Sequence, residues 1–266
     1  MGSILHKIGT KTQKRIDLLK QDESLEALKE RAMKQTREPR SLREAFADGT
    51  QVNIIAEFKR ASPSKGDIAP DLNHLDVAEA YLSAGATGLS VLTEPEYFRG
   101  DLQFIRDIRD QHDDALILMK DFFVDSYQLY QALEAGADAI LIIVGLLGKE
   151  RSSELMDEAK SLGLSVLMEV HDQSELEIAL DLKPDLLGIN NRDLRDLTIS
   201  LDTSVGLSHL IPNEQFAISE SGIENSDDIK RLMDHKFRGF LIGTSLMRTG
   251  EPGKALSKLT GVSIED

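Results

Sequence analysis

Charged side chains follow short apolar segments of this sequence, at positions that could support acid–base chemistry on an anionic molecule. Glu57 and Lys59 lie two residues apart near the end of the apolar run that begins at Val52. Lys120 and Glu169 each follow a further apolar run. Because charges embedded in apolar strands are costly unless they are paired, their recurrence at such positions favours a shared site for proton transfer over isolated structural ion pairs.

Polar residues also follow the apolar runs of the C-terminal half, and some of them are small enough to approach a phosphate group. These candidates are Asn190, Arg192, Glu220, Ser221, Gly222, Gly243 and Thr244. Backbone N–H groups at Ser-Gly and Gly-Thr pairs can hold an anion, although a single such pair is usually only a turn. The two pairs together predict a phosphate site beside the acid–base residues.

The segment at residues 60–67, RASPSKGD, has the composition of a loop that closes over an anionic substrate. A solvated surface turn would have the same composition. We expect a cluster of cations at the entrance of the site, formed by Lys59, Arg60, Lys65, Lys120 and Arg192.

Eight apolar runs of β type are separated by amphipathic segments, and these elements must position the polar residues. We predict strands at 52–58, 87–92, 115–119, 138–144, 164–168, 186–190, 216–219 and 239–242. We predict helices between and after them at 72–84, 101–111, 126–135, 150–162, 173–181, 203–210, 225–235 and 251–259. Eight such units favour an α/β fold of the (β/α)8 TIM barrel type, with a Rossmann or flavodoxin-like sheet as the alternative. Active sites of these barrels lie at the carboxyl ends of the strands, where the polar residues occur.

The composition limits the classes of function. The chain has 266 residues, no Cys and a net charge of −15 from 31 Lys+Arg and 46 Asp+Glu. Net acidity argues against binding nucleic acid or anionic lipid, and the absence of Cys excludes disulfides and thiolate chemistry. The longest apolar run, 139–147, is shorter than the ~20 residues of a membrane span. We therefore expect a cytoplasmic protein with one barrel domain over 1–266 and an N-terminal helical extension over 1–48 that packs on the barrel.

Several motifs resemble those of the indole-3-glycerol phosphate synthase family. The most specific are IIAEFKRASPSKG at 54–66 and GINNRDL at 188–194. LMKDF, LMEVH, SESGI and LIGTSLM follow the order expected of the family. Thr244 stands where many relatives have Ser, and Ala61 where some relatives have Lys. The resemblance implies a TIM barrel that converts 1-(2-carboxyphenylamino)-1-deoxyribulose 5-phosphate to indole-3-glycerol phosphate, with loss of carbon dioxide and water, in tryptophan biosynthesis.

The resemblance also implies roles for individual residues. They are a general acid for ring closure (Lys120), an acid for dehydration (Lys59), basic or charge-stabilising carboxylates (Glu57, Glu169), a residue that orients the substrate hydroxyls (Asn190), its polar supports (Arg192, Glu220) and a phosphate cradle (Ser221, Gly222, Gly243, Thr244). It further implies a carbon–carbon lyase with no metal and no organic cofactor. The expected partner is a phosphorylated small molecule, and the expected assembly is a monomer or weak homodimer.

Other interpretations stay open at this point. Lys120 could also be the Schiff-base nucleophile of an aldolase, whereas phosphoribosylanthranilate isomerase would use a Cys/Asp pair that a chain without Cys lacks. A catalytically silent barrel used as a binding subunit would be expected to have lost some charged strand ends. His171 lies two residues from Glu169 and could face the site, although such a histidine is more often a satisfied rim residue. The six His residues are scattered, which disfavours metal catalysis.

Overall fold

The computed structural model describes residues 4–47, 52–194 and 197–261, and its central element is a closed barrel of parallel strands. Each strand pairs with its neighbours in chain order, and the last strand pairs with the first. The strands are β1 Asn53–Phe58, β2 Gly88–Leu92, β3 Ile117–Lys120, β4 Ala139–Ile143, β5 Ser165–Val170, β6 Leu186–Asn190, β7 Ala217–Glu220 and β8 Gly239–Ile242. The prediction of a (β/α)8 TIM barrel is confirmed.

Helices precede the barrel and connect its strands. The N-terminal helices are α1 Ile4–Asp22, α2 Leu25–Ala32 and α3 Leu42–Ala45. The others are α4 His74–Ser83, α5 Leu102–Gln111, α6 Ser126–Ala135, α7 Val144–Ser161, α8 Gln173–Leu182, α9 Asp202–Leu207, α10 Ser226–Met233, α11 Thr244–Met247 and α12 Pro252–Thr260. Within the described residues, every helix is too short or too polar to cross a membrane.

Several element boundaries differ from the sequence-based predictions. β3 and β5 extend to Lys120 and Val170, so Lys120 and Glu169 lie within strands rather than after them. α7 begins directly after β4, and its first turn is separated from the rest at Gly148, where φ is 69° and ψ is −178°. The loop after β1 contains a short antiparallel pairing of Ala61–Ser62 with Gly66–Asp67.

The N-terminal helices pack against the outside of the barrel. Ile16 of α1 and Leu28 of α2 are buried beside Tyr127 and Tyr130 of α6. At the amino ends of the strands, the backbone N–H of Leu42 donates to the Ser165 hydroxyl at 3.0 Å. The extension therefore reaches more than one side of the barrel; its predicted boundary at residue 48 lies outside the described residues.

Candidate active site

Four charged side chains meet inside the carboxyl end of the barrel. Glu57, Lys120, Glu169 and Glu220 come from β1, β3, β5 and β7, the alternate strands that fill one layer of a barrel interior. The ammonium nitrogen Nζ of Lys120 lies 2.7 Å from Glu220 Oε2, 3.5 Å from Glu169 Oε2 and 4.0 Å from Glu57 Oε2. This layer of the interior is therefore an ionic cluster centred on one lysine.

The cluster shifts the proton affinities of its members in different directions. Burial disfavours the charge of Lys120, but the three surrounding carboxylates outweigh burial and raise its pKa above the usual value. Burial alone would raise the pKa of Glu169, yet Lys120 and His171 lower it below the usual range. The pKa of Glu220 is raised to about 7. Burial raises it most, the Glu169 carboxylate raises it further, and Lys120 partly opposes both effects. At neutral pH the cluster thus holds an ammonium, an ionised Glu169 and a Glu220 that can exchange a proton.

A second cation, Lys59, directly follows β1 beside the cluster. Lys59 Nζ is 2.5 Å from Glu57 Oε1, so Glu57 lies between two ammonium groups. Arg192 follows β6, and its guanidinium donates to the Ser64 hydroxyl at 3.1 Å across the mouth of the barrel. The loop after β1 therefore contacts the loop after β6 directly at the entrance.

Glu169 is held from the far side by a histidine. His171 Nε2 lies 3.3 Å from Glu169 Oε1, and its Nδ1 lies 3.0 Å from Glu175 Oε2 in the first turn of α8. Burial alone would lower the pKa of His171, but the two carboxylates raise it to about 10. His171 is thus a buried cation that supports the ionised form of Glu169, a closer link to the site than the rim position that sequence reasoning favoured.

The loops after β7 and β8 form the polar end of the site. Ser221 and Gly222 have φ of +66° and +84°, so two successive residues adopt the left-handed conformation that turns backbone N–H groups toward one side. The Ser245 hydroxyl donates to the Ile223 carbonyl at 2.9 Å and joins this loop to the one that contains Gly243 and Thr244. The two small-residue pairs therefore lie side by side, as a phosphate cradle requires.

Asn191 fixes the backbone behind the Ser221 loop. Its Nδ2 group donates to the carbonyls of Glu220 and Ser221 at 2.9 and 3.0 Å, and its Oδ1 accepts from the Ser204 N–H at 3.0 Å. The neighbouring Asn190 instead lines the cavity. Of these two adjacent asparagines, Asn190 therefore belongs to the site and Asn191 stabilises the loop behind it.

Every predicted site residue lines a single cavity of about 1160 Å³, a volume that includes its opening to solvent. Sequence reasoning missed the other half of this cavity, which is apolar. Its members are Leu92, Phe98, Phe122, Leu141, Ile143, Leu194, Ile199, Ile223, Leu241 and Ile242. Most of these residues have no signal that separates them from core residues, but Phe98 and Phe122 follow strand ends, where site residues are expected.

The predicted cluster of cations needs one correction. Lys59, Lys65, Lys120 and Arg192 line the cavity, but Arg60 does not. The Arg60 guanidinium instead lies 4.7 Å from the ring centre of Phe104 and 5.6 Å from that of Phe58, in the helix layer. Arg60 lies two residues beyond the end of β1, and its side chain packs in the helix layer instead of the cavity. Arg248, after α11, also lines the cavity.

A groove next to the cavity involves the N-terminal extension. Leu5 and Ile8 of α1 face Phe98, Phe122 and Leu194 across it. Deeper along α1, Arg15 forms two hydrogen bonds of 2.9 and 2.8 Å with Asp121, which follows Lys120 in the chain. Helix α1 thus covers the apolar end of the site and is tied to the strand that carries its central lysine.

Comparisons with known proteins agree with this geometry. A family model described as indole-3-glycerol phosphate synthase matches residues 5–259. The indole-3-glycerol phosphate synthase of Bacteroides thetaiotaomicron is 42% identical over 256 residues, which cover 96% of this chain and 97% of the relative. The enzyme of the same name from Ruminiclostridium cellulolyticum is 39% identical over 259 residues, 97% of this chain and 99% of the relative.

Among solved structures, 3-hexulose-6-phosphate synthase from Salmonella typhimurium superposes with a TM-score of 0.65 at 13% identity, over 79% of this chain and 98% of the other. Thiamine phosphate pyrophosphorylase from Pyrococcus furiosus superposes with a TM-score of 0.59 at 17% identity, over 82% of this chain and 95% of the other. At these identities the likeness concerns the barrel fold alone. The sequence matches, in contrast, span nearly the whole chain, and this protein belongs to the indole-3-glycerol phosphate synthase family.

Proposed function

We propose that this chain performs the reaction of its family with Lys120 as the central general acid. The observation that carries the assignment is the position of the Lys120 ammonium, within 4.0 Å of three carboxylates at the floor of a cavity that has one polar and one apolar end. The substrate has the same polarity, since a phosphate lies at one end and a carboxyphenyl ring at the other.

The two ends of the cavity orient the substrate. The backbone around Ser221, Gly222, Gly243 and Thr244 would hold the phosphate, while the ring would lie against Phe98 and Phe122. In this orientation the ribulose carbonyl would lie between the two ends, above the ionic cluster. Binding in this position brings the ring carbon that bears the carboxylate close to the carbonyl carbon, which removes most of the entropic cost of ring closure.

Ring closure forms a carbon–carbon bond and places negative charge on the carbonyl oxygen. Lys120 donates a proton to that oxygen, which becomes a hydroxyl, and Glu57, Glu169 and Glu220 stabilise the ammonium before transfer. The ring is left as an iminium cation. Loss of carbon dioxide returns the bonding electrons to this cation, so decarboxylation needs no external electron acceptor.

Dehydration completes the indole. Lys59 donates a proton to the departing hydroxyl, which leaves as water, and a carboxylate of the cluster removes a proton from the adjacent carbon of the new ring. Two protons are thus consumed and one is released. One net proton is taken up for each carboxylate converted to carbon dioxide, and a Glu220 with a pKa of about 7 is suited to exchange it at neutral pH.

The aldolase alternative requires a different state of Lys120. A Schiff-base nucleophile must be a neutral amine, and its pKa is normally lowered by desolvation or a neighbouring cation. Here the surrounding carboxylates raise the pKa of Lys120. The ionic cluster therefore favours an acid over a nucleophile.

Replacement of Lys120 tests the assignment. We expect Lys120→Met to lower kcat by about 10³-fold, in line with the loss of a general acid, while inorganic phosphate still binds. The chain contains no Trp, so indole fluorescence from the product can be followed against a weak background. Lys149→Met, which removes an exposed lysine paired with Asp181, is the control. Near-normal turnover by Lys120→Met would remove Lys120 from the mechanism.

We also propose that the protein acts in the cytoplasm as a monomer or weak homodimer, with the extension and the barrel working as one domain. The covering of the cavity by α1 of the same chain supports this, since described residues of one chain both line and cover the site. Sedimentation over a range of protein concentrations, with activity measured in parallel, tests whether the monomer is active.

A further inference from the structure

Glu94 is buried beside the site, yet its side chain does not line the cavity. It follows β2, where the sequence analysis expects residues of the active site, and it is only 4% exposed. A buried carboxylate is costly unless it is neutralised or hydrogen-bonded. The partners of this group therefore indicate what it does.

The partners are backbone N–H groups of its own loop. Glu94 Oε1 accepts from the N–H of Glu96 at 3.0 Å. Its Oε2 accepts from Tyr97 and Phe98 at 2.6 and 3.1 Å. Both carboxylate oxygens are thus used to fold the four residues that follow, and Glu94 is not among the residues that line the cavity.

The rest of the loop is closed just as tightly. The N–H of Gly100 donates to the Glu94 carbonyl at 2.8 Å, so the chain returns to its starting point. A Cβ at position 100 would overlap the carbonyl of Leu92, which restricts this position to glycine. The intervening Arg99 has φ of +52°, a left-handed conformation that a non-glycine residue adopts only when its surroundings impose it.

The side chain that this loop presents to the cavity is Phe98. Its ring lies 5.9 Å from the ring of Phe122, and the two rings line both the main cavity and the groove under α1. On the outer side of the loop, Glu96 forms an ion pair with the exposed ammonium of Lys11. The inner face of the loop therefore contributes Phe98 to the apolar end of the site.

We propose that Glu94 is a positioning residue that shapes the loop at 95–100, so that Phe98 closes the aromatic end of the cavity around the substrate ring. The inference rests on the proposed function, because it assumes that the ring occupies this end. Glutamine cannot replace Glu94, since its amide nitrogen would face a backbone donor where the carboxylate presents an acceptor.

Kinetics of Glu94→Gln test the proposal. We expect KM to rise about tenfold, a loss of ring contact equivalent to about 1.4 kcal/mol, with little change in kcat. The inhibition constant of inorganic phosphate, which reports only the polar end, stays within about twofold of wild type. Glu96→Gln, on the same loop but exposed, is the matched control and keeps the wild-type KM. An unchanged KM in Glu94→Gln, or an equal weakening of phosphate inhibition, would overturn the proposal.

A double-mutant cycle separates positioning from general destabilisation. If Glu94 acts through Phe98, then Glu94→Gln in a Phe98→Ala background raises KM by no more than about twofold beyond Phe98→Ala alone. Independent, multiplicative effects contradict the proposal. Should Glu94→Gln fail to fold, Glu94→Asp keeps the charge with a shorter reach, and the same cycle is run with it.

Binding of the borohydride-reduced substrate distinguishes a failure of the proposed function from a failure of the role proposed for Glu94. This compound keeps the ring and the phosphate but cannot cyclise, so calorimetry measures its affinity whether or not turnover occurs. Tight binding by wild type without synthase activity would refute the proposed function and leave Glu94 testable. Activity in wild type with equal binding by wild type and Glu94→Gln would refute only the role of Glu94.

Discussion

Glu169 and Glu220 face the same ammonium group, but their pKa values shift in opposite directions. The difference lies in the second neighbour: Glu169 has His171 3.3 Å away, whereas Glu220 has the Glu169 charge itself. Paired carboxylates with separated pKa values commonly divide the base and acid roles of an active site. His171 is therefore the residue that makes the two glutamates unequal.

His171 should also make stability depend on pH in the alkaline range. Its pKa is raised from 6.5 to about 10 in the folded protein, so its contribution is fully present below pH 6.5 and is lost as the pH rises through 10. We expect His171→Asn to lower the free energy of unfolding by roughly 2 kcal/mol at pH 6 and by much less near pH 10. Urea denaturation at several pH values measures this. An equal loss at both pH values would show that His171 contributes packing rather than charge.

Gly188 on β6 controls the position of Glu220. A Cβ at this position would overlap Glu220 Oε1, so the Glu220 carboxylate can occupy its position only because residue 188 has no side chain. We expect Gly188→Ala to displace Glu220 from Lys120 and to lower kcat by about 10²-fold, with far-UV circular dichroism unchanged. Gly206→Ala, at a position with open space around it, is the control. Wild-type kcat in Gly188→Ala would show that Glu220 can move without loss.

At the scale of elements, the strand ends could be predicted because parallel strands bring their carboxyl ends together. Alternation along β1 predicts the face of Glu57, and Lys59, one residue beyond the strand, continues this alternation. Glu94 could not be placed in this way, because β2 ends at Leu92 and alternation ends with it. The apolar half of the cavity was also missed, since Leu141 and Ile143 have the same sequence character as the core residues beside them.

One buried carboxylate joins the N-terminal extension to the barrel. Asp138 is fully buried, and its Oδ1 accepts from Arg37 at 2.5 Å and from the Arg40 N–H at 2.8 Å. Its Oδ2 accepts from Arg109 at 2.7 Å and from the Ile117 N–H at 2.8 Å. The chain before α3 and the start of β3 are thus held by the same side chain.

Removal of this carboxylate should destabilise the whole fold. We expect Asp138→Ala to lower the free energy of unfolding by about 3–5 kcal/mol, because it leaves buried arginine charge unpaired. Asp113→Ala, an exposed residue paired with Arg37 at 4.0 Å, should change it by less than about 1 kcal/mol. Chemical denaturation of both variants provides the comparison. Similar losses of unfolding free energy in the two variants would mean that Asp138 does not hold the N-terminal extension to the barrel.

At the scale of the whole molecule, the charge is distributed unevenly. The chain carries −15 overall, yet Lys59, Lys65, Arg192 and Arg248 surround the cavity that would receive a phosphorylated substrate. Local positive charge within a negative protein attracts anions to one entrance and away from the remaining surface.

Arg248 tests this distribution because it is exposed and lies outside the ionic cluster. We expect Arg248→Gln to raise KM by about threefold at low salt and by less as screening increases, since the Debye length falls to about 3 Å at 1 M ionic strength. Asp234→Asn, at the C-terminal end of α10, changes the net charge by one unit in the opposite direction and should leave KM unchanged. A decrease in KM for Asp234→Asn as large as the increase for Arg248→Gln would indicate that only net charge matters.

The pairing of β8 with β1 closes the barrel, with Leu241 in register with Ile55. Because the acid–base residues are contributed by β1, β3, β5 and β7, no continuous half of the sequence contains the complete cluster. A nascent chain emerging from the ribosome therefore lacks Glu220, the nearest partner of Lys120, until β7 has been synthesised. The complete cluster can consequently form only late in synthesis, when the last strands become available to close the barrel.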